Sequence, residues 1–285
     1  MSESLPARRL LTVHAHPDDE ASKGSALVAK YAAEGVRSTL VCCTGGELGE
    51  ILNPAMNRPE IAENLAEVRS NELDRSASII GFHRVERLGY RDSGMPDMVE
   101  NADPANFWNA PLVEATKRLV ALIRREQPQV LITYDERGGY PHPDHLKTHA
   151  ISVEAFEWAA EPHWFPELGE PWQVSKLYYS VFASRRALSL HNRMLEMGIE
   201  SPFTEEWLAR YDQDHRITTS VDVSAYMHIR DQSLLAHATQ VDPNEKFWFG
   251  LSAEEQAAVY PWDDYILAKS HVETEVPETD LFAGL

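Results

Sequence analysis

Cysteine is scarce: the 285 residues hold two, Cys42 and Cys43, side by side in an apolar run. Adjacent cysteines suit neither an ordinary disulfide nor a Cys-rich zinc site, so both read as buried strand residues. Positive charge is also short. Lys and Arg number 26 against 45 Asp and Glu, a formal charge of −19, which repels phosphate backbones and anionic membrane surfaces. The expected partner is therefore a small molecule rather than nucleic acid or membrane, and the charge itself argues for solubility. Long hydrophobic runs are missing too: Leu10 to Val13 is far too short for a signal core or a membrane span, and a cytoplasmic location is the expectation. No phosphate-binding loop is present. TGGELGE (44–50) lacks the G-x-G-x-x-G order, and no Lys follows as in G-x-x-x-x-G-K. Its paired glycines let backbone turn tightly or approach a ligand, and Glu47 beside them reads either as a partner for sugar-type hydroxyls or as a solvated loop residue.

What remains has globular proportions, 43% hydrophobic and 25% charged, and is long enough to bury a full core. Short apolar runs alternate with amphipathic segments: RLLTV (9–13), a helix-like ALVAKYAAEG closed by Gly35, VRSTLVCC (36–43), a helical repeat of Leu112, Ala115, Leu119, Leu122 and Ile123 ended by Pro128, then QVLITY (129–134). This βαβα order predicts an α/β fold with a mostly parallel sheet flanked by helices. The expected organisation is a metal-binding catalytic portion over 1–165 and a smaller C-terminal α/β portion over 166–285, which completes the cleft and contains a strand within WQVSKLYYSVFA (172–183). Sites in such sheets lie beyond the C-terminal ends of the strands. HAHPDDE, TGGELGE and DERGGYPHPDH (135–145) each follow a predicted strand, so one shared cleft is expected.

Catalytic zinc takes three protein ligands from His and Asp or Glu and leaves a fourth position for water. If Pro17 occupies the first turn of a helix, His16 and Asp19 stand on one face and Asp18, rotated by about 100°, is free to act as a base. In the second motif Pro143 starts a helix that presents His145 as a third ligand and His142 toward the cleft. Asp144 is expected to accept a hydrogen bond from His142, fixing its tautomer and favouring its protonated form. The layout is that of a hydrolase: Asp18 takes the proton of an attacking water, Tyr140 or His142 helps stabilise the oxyanion, and either protonated His142 or Asp18 returning its proton serves the leaving amine. The ligand types admit Zn²⁺, with Fe²⁺ or Co²⁺ also compatible. His14 is expected to point into the sheet or to support the site. His149, one turn after His145, is expected to support rather than close the metal site, and Glu20 either meets the helix dipole or supports the ligands. Two other classes fit less well: a binuclear hydrolase needs His where Asp19 stands, and a metal or sugar sensor has no use for Asp18.

Taken together, AHPDDE, TGGELGE, RSNEL (69–73), RDSGM (91–95) and GGYPHPDH resemble the LmbE-like (PIG-L) family of zinc-dependent N-deacetylases. EILNPAM (50–56), GEPWQVSKLYY (169–179), HATQVDPN (237–244) and PETDLFAGL (277–285) are similar to its branch of amidases that act on S-conjugates of the thiol mycothiol. The resemblance implies that the α/β fold is Rossmann-like, with zinc on His16, Asp19 and His145, Asp18 as general base, His142 as acid or electrostatic stabiliser, and Tyr140 polarising the carbonyl. It also implies sugar or inositol contacts at Arg69 and Asp92, a weaker one at Glu47, and recognition of the acyl side by Lys23. The implied activity is hydrolysis of the amide between N-acetylcysteine and glucosaminyl-inositol in thiol-based detoxification. Removal of acetate from N-acetylglucosaminyl-inositol by the same site is the alternative.

Overall fold

The protein was analysed as a computed structural model that describes residues 7–209 and 212–285. Among them, the strands are β1 (Arg9–His14), β2 (Arg37–Thr44), β3 (Arg84–Tyr90), β4 (Val130–Thr133), β5 (Lys176–Val181), β6 (Thr219–Asp222) and β7 (Trp262–Ser270). They form one sheet in the order β3-β2-β1-β4-β5-β7-β6. The first five pair in parallel, and β7 runs antiparallel to both β5 and β6. The helices are α1 (Asp19–Ser22), α2 (Ser25–Ala33), α3 (Pro59–Ala62), α4 (Leu65–Ile80), α5 (Leu112–Glu126), α6 (Pro143–Trp158), α7 (Ser184–Glu196), α8 (Glu205–Ala209), α9 (Met227–Ala236), α10 (Lys246–Phe249) and α11 (Ala253–Val259). This is the expected Rossmann-like α/β architecture. None of these helices is long and apolar enough to cross a membrane.

The central strands β1, β2 and β4 are buried over nearly their whole length because helices cover both faces. Side chains alternate across the sheet, so Leu11, Val13 and Leu131 pack with Leu119, Ile123, Ile151 and Phe156 on one side. Leu10, Val130 and Ile132 pack with Leu27, Tyr31 and the C-terminal Leu281 and Phe282 on the other. Cys42 and Cys43 are buried in β2 with free thiols. The amphipathic repeat becomes α5, with Ala115, Leu119, Leu122 and Ile123 buried and Leu112 alone left exposed. After α2 the chain turns at Gly35, whose φ is +83°.

Two departures from the sequence pattern have physical causes. The strand expected over 172–183 is confined to Lys176–Val181, because Trp172 leaves the sheet and donates its indole N–H to the Pro128 carbonyl (2.7 Å). Strands β3 and β6 carry little apolar signal, and the apolar run of β7 is short and follows two aspartates. β3 is an edge strand with mostly half-exposed residues, and β7 buries Asp263 and Asp264.

The C-terminal residues extend the same sheet and are tied to it by a buried ion pair. Lys176, fully buried in β5, donates to Glu278 Oε1 (2.5 Å) and to the Ala283 carbonyl (2.6 Å). Glu278 also accepts from Tyr178 (2.6 Å) and Thr219 (2.7 Å). Burial alone raises the Glu278 pKa, but Lys176 and the surrounding hydroxyls outweigh it and the net shift is downward. Its contribution to stability is therefore present above the unfolded carboxylate pKa and is lost as pH falls through the folded value. Glu278→Ala, which leaves the Lys176 charge unpaired, is expected to cost about 3–5 kcal/mol, read as a lowered urea midpoint with unchanged slope.

Candidate active site

The chain runs from β1 to β2 and β3 on one side, then crosses back to β4 on the other side of β1. Ligands in such sheets bind at this switch point, outside the C-terminal ends of the two strands. The HPDD segment follows β1 and the GGYPHPDH segment follows β4.

Pro17 does not start the first helix; α1 begins at Asp19, behind Asp18 in a left-handed conformation (φ 108°). His16 and Asp19 are joined by a turn in which the His16 N–H donates to Asp19 Oδ2 (3.0 Å). Both side chains still face the cleft, as a helical face would have required. Positive φ at a non-glycine residue costs of order 1–3 kcal/mol and persists only where neighbours impose it. Here they do. The Asp18 N–H donates to Glu20 Oε2 (3.0 Å), and its carboxylate accepts from Arg69 (3.0 Å). Arg69 also donates to the carbonyls of Pro17 and Gly46.

In the second loop Gly138 has φ +70°, and a Cβ there would meet the His145 Cβ at 2.7 Å. The close approach lets the Gly138 carbonyl accept from His145 Nδ1 (2.8 Å), so the proton sits on Nδ1 and Nε2 is bare. That Nε2 is buried without a hydrogen-bond partner and lies 3.4 Å from Asp19 Oδ2. His16 repeats the arrangement. Its Nε2 donates to Asp144 Oδ2 (3.1 Å), which turns Nδ1 toward Asp19 Oδ2 at 3.6 Å.

Acceptors opposed in a buried space call for a cation between them. Tetrahedral zinc ligands stand about 3.4 Å apart, and the candidate atoms of His16, Asp19 and His145 all lie within 4.8 Å of one another. The residues fit a divalent metal. Without one, the site draws protons: burial opposes charging His16, yet Asp144, Asp19 and Asp92 raise its pKa well above the ordinary value. Burial likewise opposes ionisation of Asp19, but Lys23, His145 and His16 hold its pKa well below the usual range. A second cluster of His16, Asp92, His142 and Asp144 is a poorer ligand set, because its carboxylates are already engaged. Asp144 accepts from the Ser93 N–H (3.0 Å) and hydroxyl, and Asp92 from the backbone of Leu48 (3.2 Å) and Gly94 (2.8 Å).

The expected Asp144–His142 pairing is therefore corrected: the Asp144 carboxylate is spent on His16 and Ser93. His142 caps α6, its Nδ1 accepting the Asp144 N–H (3.1 Å), which leaves Nε2–H as its donor. The protonated form is not favoured either. Burial, then the neighbouring His16 and His145, push its pKa down to about 3. Tyr140 lies tilted against His145, ring centroids 4.5 Å apart, and its phenol is pushed upward by burial and by Asp19 and Asp18, so it stays a donor. The Asp18 carboxylate, 29% exposed, is raised by partial desolvation and by Asp19 against the pull of Arg69.

Lys23 reaches the metal-ligand carboxylate itself, with Nζ 2.5 Å from Asp19 Oδ1. Glu47 accepts from the Asp92 N–H (3.1 Å), and Arg69 and Asp92 are buried behind the Asp18 and His16 loops. His14 and His149 lie outside the ligand set; His14 is 3.4 Å from the Tyr134 hydroxyl and His149 bonds the Tyr134 carbonyl at 3.0 Å.

Two supporting residues, Ser93 and His237, escaped the sequence reading, and Glu20, open above between the helix dipole and support of the ligands, is engaged in support. Ser93 anchors Asp144 from within RDSGM. Glu20, fully buried, accepts from Ser76 Oγ (2.5 Å) and sits 2.5 Å from His237 Nε2. His237 charges more readily than usual because Glu20 and Asp18 outweigh its burial. Nothing but the fold brings His237 to a residue 217 positions earlier, although both lie in motifs noted above.

Two outcomes follow from these contacts. Asp144→Ala is expected to weaken zinc binding by about 10–100-fold in a chelator competition, since the group that orients His16 is lost. Glu20→Ala, which frees the strained Asp18 backbone, is expected to lower kcat about ten-fold or more with metal content and KM unchanged.

Comparison with known proteins agrees with this geometry. The family model PIG-L, GlcNAc-PI de-N-acetylase, matches residues 11–156. A mycothiol S-conjugate amidase of Streptomyces coelicolor is 47% identical over 97% of both chains. A 1D-myo-inositol 2-acetamido-2-deoxy-alpha-D-glucopyranoside deacetylase of Geodermatophilus obscurus is 39% identical over 98% of this chain and 99% of its own. Among solved structures, the N,N'-diacetylchitobiose deacetylase of Pyrococcus horikoshii shares the fold, with a TM-score of 0.63 at 20% identity over 91% of this chain and 83% of that one. With the family pattern covering half of the chain and full-length relatives this similar, the chain belongs to the PIG-L family of metal-dependent N-deacetylases and amidases.

Proposed function

We propose that the protein is a zinc-dependent amidase that cleaves the N-acetylcysteine–glucosamine amide of mycothiol S-conjugates, releasing a mercapturic acid and glucosaminyl-inositol. The observation that carries the reading is a cavity of about 450 Å³ that opens directly from Asp18, Asp19 and Tyr140 and is lined by Lys23. That volume falls within the range of sites for whole small molecules, far beyond the needs of an acetyl group. The similarity to the Streptomyces coelicolor amidase along the full chain supports the same substrate class.

His16 Nδ1, Asp19 Oδ2 and His145 Nε2 would hold the metal. When bound there, zinc supplies a water of lowered pKa and polarises the scissile carbonyl. Asp18, fixed by Arg69 on its carboxylate and by Glu20 on its N–H, takes the proton of the attacking water. His142 Nε2–H and the Tyr140 hydroxyl donate to the oxygen that gains charge. With His142 neutral, Asp18 is the group that returns a proton to the leaving amine nitrogen. Lys23 holds the remaining oxygen of Asp19 and faces the acyl side of the cavity. Arg69 and Asp92 shape the sugar side through the loops they bind, and Glu47 fixes the Asp92 loop.

A second reading, deacetylation of N-acetylglucosaminyl-inositol, is favoured by relatives such as the Geodermatophilus obscurus deacetylase. It uses the same amide nitrogen and differs only on the acyl side. The discriminating measurement is kcat/KM of zinc-loaded protein on both substrates. A preference of about ten-fold for the conjugate, roughly 1.4 kcal/mol of transition-state binding, is expected, and the reverse preference overturns the amidase reading. Asp18→Asn is expected to lower kcat by about 10²-fold or more with metal retained; unchanged turnover would remove Asp18 from the chemistry.

A further inference from the structure

The cavity has two unlike ends. At one stand the residues of the catalytic centre, all of which come from the 11–156 segment that carries the family pattern. The other end is built by later residues. Phe182 follows β5, Trp207 lies on α8, and Phe247 and Trp248 lie on α10. Their rings form one connected wall: Phe182 meets Trp207 at 5.7 Å and Phe247 at 5.9 Å between centroids, and Phe247 meets Trp248 at 4.6 Å. None of the four is fully buried, so each keeps some surface for a further contact.

The polar side chains at this end are already paired within the protein. Gln213 donates to Asp135 Oδ2 (2.9 Å), and Arg186 meets Asp263 (3.4 Å). Asp264 accepts from Tyr260 (2.6 Å) and Arg185 (2.7 Å). A polyol placed here would have to compete with these pairs for its hydrogen bonds and would lay its remaining hydroxyls against aromatic rings, which costs free energy for each one left unpaired. An aromatic ring loses nothing of that kind, and stacked or edge-on contacts with several rings add to its burial.

We propose that this aromatic end is the subsite for the sulfur substituent of the conjugate, and that it selects aryl and benzyl thioethers over small alkyl ones. The inference rests on the amidase reading above and adds a division of labour to it. Residues before 157 cut the amide, and Phe182, Trp207, Phe247 and Trp248 choose which thioether arrives. The acyl chain leads from the metal past Lys23 to the wall, so the sugar is left on the opposite side of the scissile bond.

The test is binding rather than turnover. Zinc-loaded full-length protein is titrated calorimetrically with two product-like ligands, S-benzyl-N-acetylcysteine and S-methyl-N-acetylcysteine. The benzyl ligand is expected to bind about ten-fold tighter or more, the effect of burying one phenyl ring. Phe247→Leu, which keeps an apolar side chain in the cluster, and Trp207→Ala are both expected to erase most of that preference. They leave the S-methyl affinity and the hydrolysis of N-acetylglucosaminyl-inositol unchanged, which also reports that the variants are folded. Equal affinities in the wild type overturn the subsite, as does a preference that survives both substitutions. Loss of glucosaminyl-inositol binding in Phe247→Leu with thioether binding intact overturns it in favour of a sugar platform. If benzyl selectivity is found in a protein that hydrolyses only the acetylated sugar, the amidase reading falls and the aromatic subsite stands.

Discussion

The structure is organised around one electrostatic requirement: Asp19 Oδ2 faces two histidine nitrogens, His145 Nε2 and His16 Nδ1, across a buried space that calls for positive charge. Each histidine is held in that orientation from behind. The Gly138 carbonyl accepts a hydrogen bond from His145 Nδ1, and Asp144 accepts one from His16 Nε2. Ser93 in turn fixes Asp144. The result is a buried set of three ligand atoms whose mutual repulsion only a cation relieves, so much of the surrounding polar structure serves to keep it assembled.

The same logic explains why the loop after β1 tolerates a strained residue. Asp18 cannot relax without breaking its bonds to Arg69 and Glu20, and Glu20 is locked by Ser76 on α4 and His237 after α9. Strain at Asp18 is thus held by elements from both halves of the chain. The later half contributes more than support. It adds β5, β7 and β6 to the sheet, anchors its tail through the Lys176–Glu278 pair, and supplies the aromatic wall of the cavity. Chemistry sits at the switch point between β1 and β4, where a parallel sheet leaves a crevice. The part of the cavity beyond it is formed by residues with no metal-binding or acid–base pattern of their own.

Much of this was legible in the sequence because it depends on short-range order. Apolar runs of four to six residues between amphipathic helices can only be buried central strands, and polar clusters at their ends have nowhere to go but the crevice. Hence the α/β class, the β1, β2 and β4 strands, and the gathering of HPDD and GGYPHPDH at one edge follow from spacing. The edge strands β3 and β6, and β7 with its buried aspartates, do not, since their places in the sheet are set by pairing with other strands. The HPDD segment shows the limit even at close range: a helix and a tight turn both bring His16 and Asp19 to one side, and only the Asp19–backbone bond selects the turn.

The sequence by itself determined the residue types of the site, its location at strand ends and the metal-dependent hydrolysis they are suited to, because donor atoms and their spacing along a few residues define that chemistry. Only the tertiary structure decided which partner each polar group received. Asp144 serves His16 rather than His142, Arg69 clamps Asp18, His237 reaches Glu20, and four aromatic rings from three separate segments meet in one cavity. Such pairings depend on the packing of elements as much as 217 residues apart, because a buried charge must find its partners among whatever groups the fold brings to it.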